Sequence, residues 1–227
     1  LLLYAEWSQN PSQFGFSSVP DFEEMMLSPF LVFCGLLIMF LGPLITMRLM
    51  AEERHRGTIE LLLTHPLRDR DIVFGKYLAA LGMLAVMMLV VAVHLVLVWF
   101  IVAVEPVVLA FGLLAFFLMG ASFLALGLFI SCVARTPIVA GALTFGLSML
   151  LYMFGALGED LPEANPAPET WPAAARDLLG VIWAVARQFV IELAPHLHAR
   201  EMALGVFRPE DVAYYVLFTA FFLFLAF

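Results

Sequence analysis

Four uninterrupted apolar stretches, residues 28–49, 77–104, 106–133 and 137–157, decide what this chain can fold into. Each reaches the about 20 residues that an α-helix needs to cross a bilayer. None alternates apolar with polar residues, so a closed β-barrel is excluded. Helices satisfy their own backbone hydrogen bonds, which lipid cannot do for them. Partial stretches at 1–5 and 211–227 bring the expected spans to six, the first and last truncated. The predicted fold is therefore all-α: a polytopic bundle forming one membrane domain over 1–227. Composition agrees. Apolar residues make up 63% of the chain and charged ones 13%, against roughly 45–50% and about 25% in soluble domains. The net charge of -8 gives no support to a nucleic-acid partner, whereas membrane lipid is a necessary one. Both ends fall in apolar sequence and the first residue is Leu1, so a missing natural N-terminus is expected.

Cations orient the bundle. Six of the eleven Lys and Arg residues (Arg48, Arg54, Arg56, Arg68, Arg70 and Lys76) crowd between the second and third spans, and Arg135 lies between the fourth and fifth. Arg176, Arg187, Arg200 and Arg208 are spread along one long loop on the other side. The positive-inside bias then makes the crowded side cytoplasmic, with both termini. The acids favour the outside. Residues 158–210 form an extracytoplasmic loop that opens with the Pro-rich EDLPEANPAPETWP. AAARDLLGVIWAVARQFVIELA follows, an amphipathic helix suited to the outer interface before span six. A seventh span is the rival, opposed by Arg176, Asp177 and Arg187.

The cytoplasmic connection, residues 48–71, itself carries helical periodicity. Glu52 and Arg56 form an i, i+4 pair with the acid first. Glu53, Gly57, Glu60 and Thr64 fall on one face; Ile59, Leu62 and Leu63 make an apolar stripe on another. Pro66 is expected to end this helix, and Asp69 or Asp71 to cap the next. A solvated connection would account for the arginines, but not for the stripe. Lipid or a groove on a partner protein would account for both.

The run GPLITMRLMAEERHRGTIELLLTHPLRDRDIVFGKYLAAL resembles the signature of type 2 ABC export permeases. It is most similar to the branch with gliding-motility and nitrous-oxide-reductase-maturation permeases. The matching positions are Met47, Arg48, Glu52, Glu53, Arg54, Gly57, Thr58, Glu60, Pro66, Gly75 and Lys76. Near the end, PHLHAREMALGVFRPEDV adds Pro195, His198, Gly205 and Asp211. The resemblance implies a permease subunit in a bacterial-type cytoplasmic membrane, paired with a second permease chain as homo- or heterodimer. It implies that the helix after span two couples to a separate ATPase subunit, which binds ATP and Mg. The residues expected to couple are Glu52, Glu53, Arg54, Gly57, Thr58, Ile59, Glu60, Leu62, Leu63 and Pro66. The chain has no GxxxxGK[ST] phosphate loop, since Gly75-Lys76 is followed by Tyr77.

Other candidates carry less. His94 lies deep in span three with no ionisable neighbour on adjoining turns, and is read as structural. His196 and His198 make an HLH that is read as polar surface rather than a metal site. Glu105-Pro106 suits a helix start. Cys34 and Cys132 are read as small apolar fillers near opposite faces. Gly120, Ala121, Ala125 and Gly127 would permit close helix contact. The remaining rivals are a membrane enzyme or cofactor-binding protein without an ATPase, and a passive channel. The enzyme lacks a visible catalytic set, and the channel lacks a polar stripe.

Overall fold

The computed structural model describes residues 28–58, 69–101, 105–162, 165–166, 168, 170–203 and 205–227. Among them every regular element is an α-helix: α1 (Ser28–Thr46), α2 (Ala51–Arg56), α3 (Asp69–Ile101), α4 (Pro106–Val133), α5 (Pro137–Asp160), α6 (Ala173–Glu192), α7 (Pro195–Ala203) and α8 (Pro209–Leu225). Proline opens α4, α5 and α8. Its missing amide is one that no first turn would use, and its fixed φ already suits a helix. In α5 the Thr136 hydroxyl also accepts from the Val139 amide at 3.4 Å.

Four stretches are long and apolar enough to cross a membrane: Phe33–Arg56, Arg70–Phe100, Pro106–Val133 and Pro137–Gly158. They correspond to expected spans two to five. The expected first span, residues 1–5, lies outside the described residues. At the sixth stands α8, 17 residues of mostly apolar sequence, at the lower limit of about 17 for a crossing. The 20-residue α6 is not among the four. One boundary shifts. The chain is already helical at Asp69 rather than from near residue 77, so Asp69 and Asp71 lie within the helix instead of ahead of it. Acids there favour the positive end of the helix dipole, so the polar lead-in is helical too.

Helix α4 is the axis. Of its apolar stretch 56% is buried, against 17–39% in the other three, and α1, α3, α5, α7 and α8 all pack on it. Lipid tails are as apolar as the helices, so close packing rather than water exclusion must hold such a bundle together. Small residues provide the closeness. A β-carbon on Gly120 would lie 2.8 Å from the Leu84 methyls and 3.1 Å from Ile38 Cδ1. On Gly127 it would lie 2.1 Å from Thr46 Oγ1 and 2.7 Å from Thr46 Cβ. Around these crossings Ile38, Leu84, Phe116, Met119, Phe123 and Leu124 form the buried core.

Three buried hydroxyls turn back on their own helices, which spares them an unmet donor away from solvent. Thr46 donates to Gly42 O at 2.9 Å, Thr144 to Ala140 O at 2.7 Å and Ser122 to Met119 O at 2.7 Å. Tyr77 instead crosses from α3 to donate to Ala121 O at 3.0 Å. Cys34 is buried, Cys132 half-buried, and both are free thiols. His94 is exposed on α3, its ring 5.2 Å from that of Phe30.

The glycine crossings set an expected outcome. Gly127→Ala overpacks the α1–α4 contact and costs about 1–3 kcal/mol. Gly82→Ala and Gly146→Ala, whose β-carbons would meet nothing within 4 Å, gain up to about 1 kcal/mol of helix propensity. Thermal unfolding in detergent, followed by size-exclusion recovery, should order the three variants that way.

Candidate functional site at the cationic end

The segment after span two begins as a break. Helix α1 ends at Thr46 and residues 47–50 form a turn before α2 resumes the helix. Ala51 is fully buried against Ala134 and Ala140, where α4 gives way to α5. With only methyl groups at that contact, the short helix sits directly on the end of the bundle axis.

Polar groups then fasten it. The first amides of a helix lack partners within it, and Met50, at the N-cap position, offers no side-chain cap. Ser131, from the last turn of α4 and wholly buried, takes that role: its oxygen accepts from the Met50 and Ala51 amides, both at 3.0 Å. Its hydroxyl donates to Met47 O at 3.4 Å. From α3, Lys76 meets Glu53 Oε1 at 2.5 Å and also donates to Leu49 O. The pair is half-buried, and Glu53 Oε2 is buried without a hydrogen bond. Arg54 donates to Val133 O at 3.3 Å. On the exposed side Glu52 and Arg56 pair at 2.5 Å, in the orientation read from their spacing.

The helix expected to run on to Pro66 stops at Arg56. Gly57 takes a φ of 70°, a left-handed conformation that glycine adopts without a β-carbon penalty. Its amide bonds Arg54 O and the Thr58 amide bonds Glu53 O, with the Thr58 hydroxyl 3.3 Å from the same carbonyl. That is a Schellman termination. Gly57 and Thr58 therefore end a helix instead of lying within one. Ile59, Glu60, Leu62, Leu63 and Pro66 lie outside the described residues.

Of the expected coupling residues, the structure gathers Glu52, Glu53, Arg54, Gly57 and Thr58 on or just after one helical turn and a half, and adds Lys76 from the matching GK pair. Ser131 escaped the sequence reading. A serine in the apolar run LFISCVARTP gives no local sign that it caps a helix 80 residues earlier.

The opposite end holds a second polar cluster. His196 and His198, read as loop surface, are instead half-buried on α7. His198 Nδ1 lies 2.7 Å from Asp211 Oδ1 on α8, its Nε2 lies 3.3 Å from Glu192 O, and its ring stacks on Tyr214 at 4.1 Å. Tyr215 donates to Pro195 O, and Gly205, with a φ of 84°, lets the connection approach Val108. Thus Pro195, His198, Gly205 and Asp211, scattered in sequence, jointly fasten α7 to α8 and α4. His196 stacks on Tyr152 over Gly155. Burial first, and His198 second, pulls the His196 imidazole down to about 4 from its ordinary 6.5. Among the described residues no group of three or more His, Cys, Asp or Glu side chains is disposed to hold a metal ion.

Residues 5–227 match the profile of the ABC-2 family transporter proteins. The match covers nearly the whole chain, and the chain belongs to that family: it is a multi-pass ABC transporter permease. No curated protein matches it. No solved structure matches it either.

Two outcomes follow from this geometry. A double-mutant cycle with Glu53→Gln and Lys76→Met should yield a coupling of about 1–2 kcal/mol, between the exposed and buried limits for ion pairs; unfolding midpoints of the four variants measure it. His196, with its folded pKa below the unfolded one, contributes stability that is complete above 6.5 and lost as pH falls toward 4. The shift corresponds to something on the order of 3 kcal/mol. Protection factors of the α7 amides, corrected for intrinsic exchange, should therefore fall between pH 6.5 and 4, and His196→Phe should flatten that dependence.

Proposed function

We propose that this chain is the permease half of an ATP-driven exporter and takes its drive from a separate ATPase at the clamped cationic end. The observation that carries this reading is the fastening of one short helix, α2, to α3 and α4 by Lys76, Ser131 and Arg54. A loop that only set topology would need its charges but no such attachment. The Glu52–Arg56 face is offered to the ATPase, and Ile59, Glu60, Leu62, Leu63 and Pro66 are assigned the same coupling role; the ATPase supplies the ATP and Mg site. Family membership supports that partnership, because ABC-2 permeases normally work with an ABC ATPase.

The fuller assembly is two permease chains, homo- or heterodimeric, with two ATPase chains. Each permease has six spans, with both termini on the cationic, cytoplasmic side. The distribution of cations supports that orientation. Helix α6 lies in the outer interface, an assignment supported by its exposed Leu178, Val181, Ile182, Val185 and Phe189. Substrate moves by alternating exposure between permease chains, against apolar and small side chains, with no covalent chemistry here. The resemblance around Met47–Lys76 favours the gliding-motility and nitrous-oxide-reductase-maturation branch.

Coexpression with the ABC ATPase encoded beside it tests the assignment. The two should copurify in detergent and hydrolyse ATP. Glu60→Lys should insert normally yet weaken the association at least tenfold, the scale of an interface hot spot. Failure of the parent chain to associate with the ATPase would sink the reading.

A further inference from the structure

We infer that motion delivered to α2 passes into α4 and α3 and not back along α1, with Ser131 as the positioning residue of that joint and residues 43–50 as its hinge. The inference rests on the coupling role proposed above but concerns which helix receives the motion.

The two attachments of α2 differ in kind. Toward α1 the chain is interrupted repeatedly. Pro43 lies inside α1 and removes one backbone hydrogen bond there. Thr46 turns its hydroxyl back onto Gly42 O at 2.9 Å, a bond that bends helices. Residues 47–50 then loosen from regular α-helix into a turn, in which the Leu49 amide bonds Thr46 O at 3.1 Å, three residues back instead of four. A covalent connection built this way transmits little torque.

Toward α4 and α3 the contacts are multiple and convergent. Ser131 alone engages three backbone groups, the Met50 and Ala51 amides and the Met47 carbonyl. Lys76 holds Leu49 O and Glu53 at once. Arg54 reaches Val133 O, and Ala51 is buried on Ala134. Every backbone position from Met47 to Ala51 except Arg48 is thereby used or buried by α3 or α4. Displacing α2 while leaving α4 in place would strip two amides of an acceptor that is wholly buried, a cost that moving both together avoids. Because α1, α3, α5, α7 and α8 all pack on α4, a tilt of its Ser131 end reaches them through side-chain contact, α1 included where Thr46 meets Gly127, and not through the 47–50 connection.

The test uses the chain in lipid nanodiscs, with Cys34 and Cys132 replaced by Ala and spin labels at introduced cysteines. His55→Cys with Val133→Cys reports α2 against α4; His55→Cys with Leu44→Cys reports α2 against α1. In the resting chain the first distance distribution should be narrow and the second broad. Adding the ATPase with ATP and vanadate should shift the second while leaving the first in place. Ser131→Ala should broaden the first and speed exchange of the Met50 and Ala51 amides at least tenfold; Ser131→Thr, which keeps the hydroxyl, should restore both. Equal shifts in the two distances, or unchanged exchange in Ser131→Ala, would overturn the inference. Should the ATPase fail to bind at all, the coupling role falls, while the resting distances and the exchange still judge the joint.

Discussion

Everything in this fold leans on one buried helix. In water a bundle coheres because its apolar faces escape solvent; in lipid that drive is absent between helices, and contact distance takes its place. Gly120 and Gly127 let α1 and α3 approach the α4 backbone more closely than any side chain would allow. The same helix supplies Ser131 at one end and receives Gly205 against Val108 at the other. Both polar clusters are thus mounted on a single rod, and their separation is fixed by its length.

The two clusters solve a common problem in different ways. Short helices at the edges of a bundle have unsatisfied backbone ends and too few apolar contacts to stay in place. At the cationic end an alcohol and an ammonium satisfy the backbone of α2. At the other end phenols do that work for the α6–α7 junction, with Tyr214 donating to Leu193 O at 3.2 Å and Tyr215 to Pro195 O. A histidine–carboxylate contact completes it.

Much of this was legible in the sequence, for definite reasons. Apolar runs of spanning length have one stable outcome, so α4 fell on the residues expected and α5 differed only at its end. The amphipathic α6 was legible because its charges are few and widely spaced. Gly57 was misread although the signal was present: a glycine after EERHR is a common helix stop, but periodicity in ELLL beyond it argued for continuation. Ser131, and the pairing of His198 with Asp211, were illegible for another reason. Each joins residues distant along the chain, and a hydroxyl or imidazole in an apolar setting names no partner. The matches at Pro195, His198, Gly205 and Asp211 marked positions without revealing that His198 meets Asp211, Pro195 meets Tyr215 and Gly205 meets Val108.

Helix α3 has one further property. Its 33 residues extend about 50 Å at the usual rise per residue, while a bilayer's hydrocarbon core is about 30 Å thick. Eight of those residues, Asp69 to Lys76, about 12 Å, are the polar lead-in, which leaves 25 from Tyr77 to Ile101. That apolar part, about 38 Å, exceeds the core by an amount that a modest tilt absorbs. Lys76 stands at the boundary between the two parts, where a long amine can hold Glu53 and Leu49 O together while the rest of the helix faces apolar surroundings.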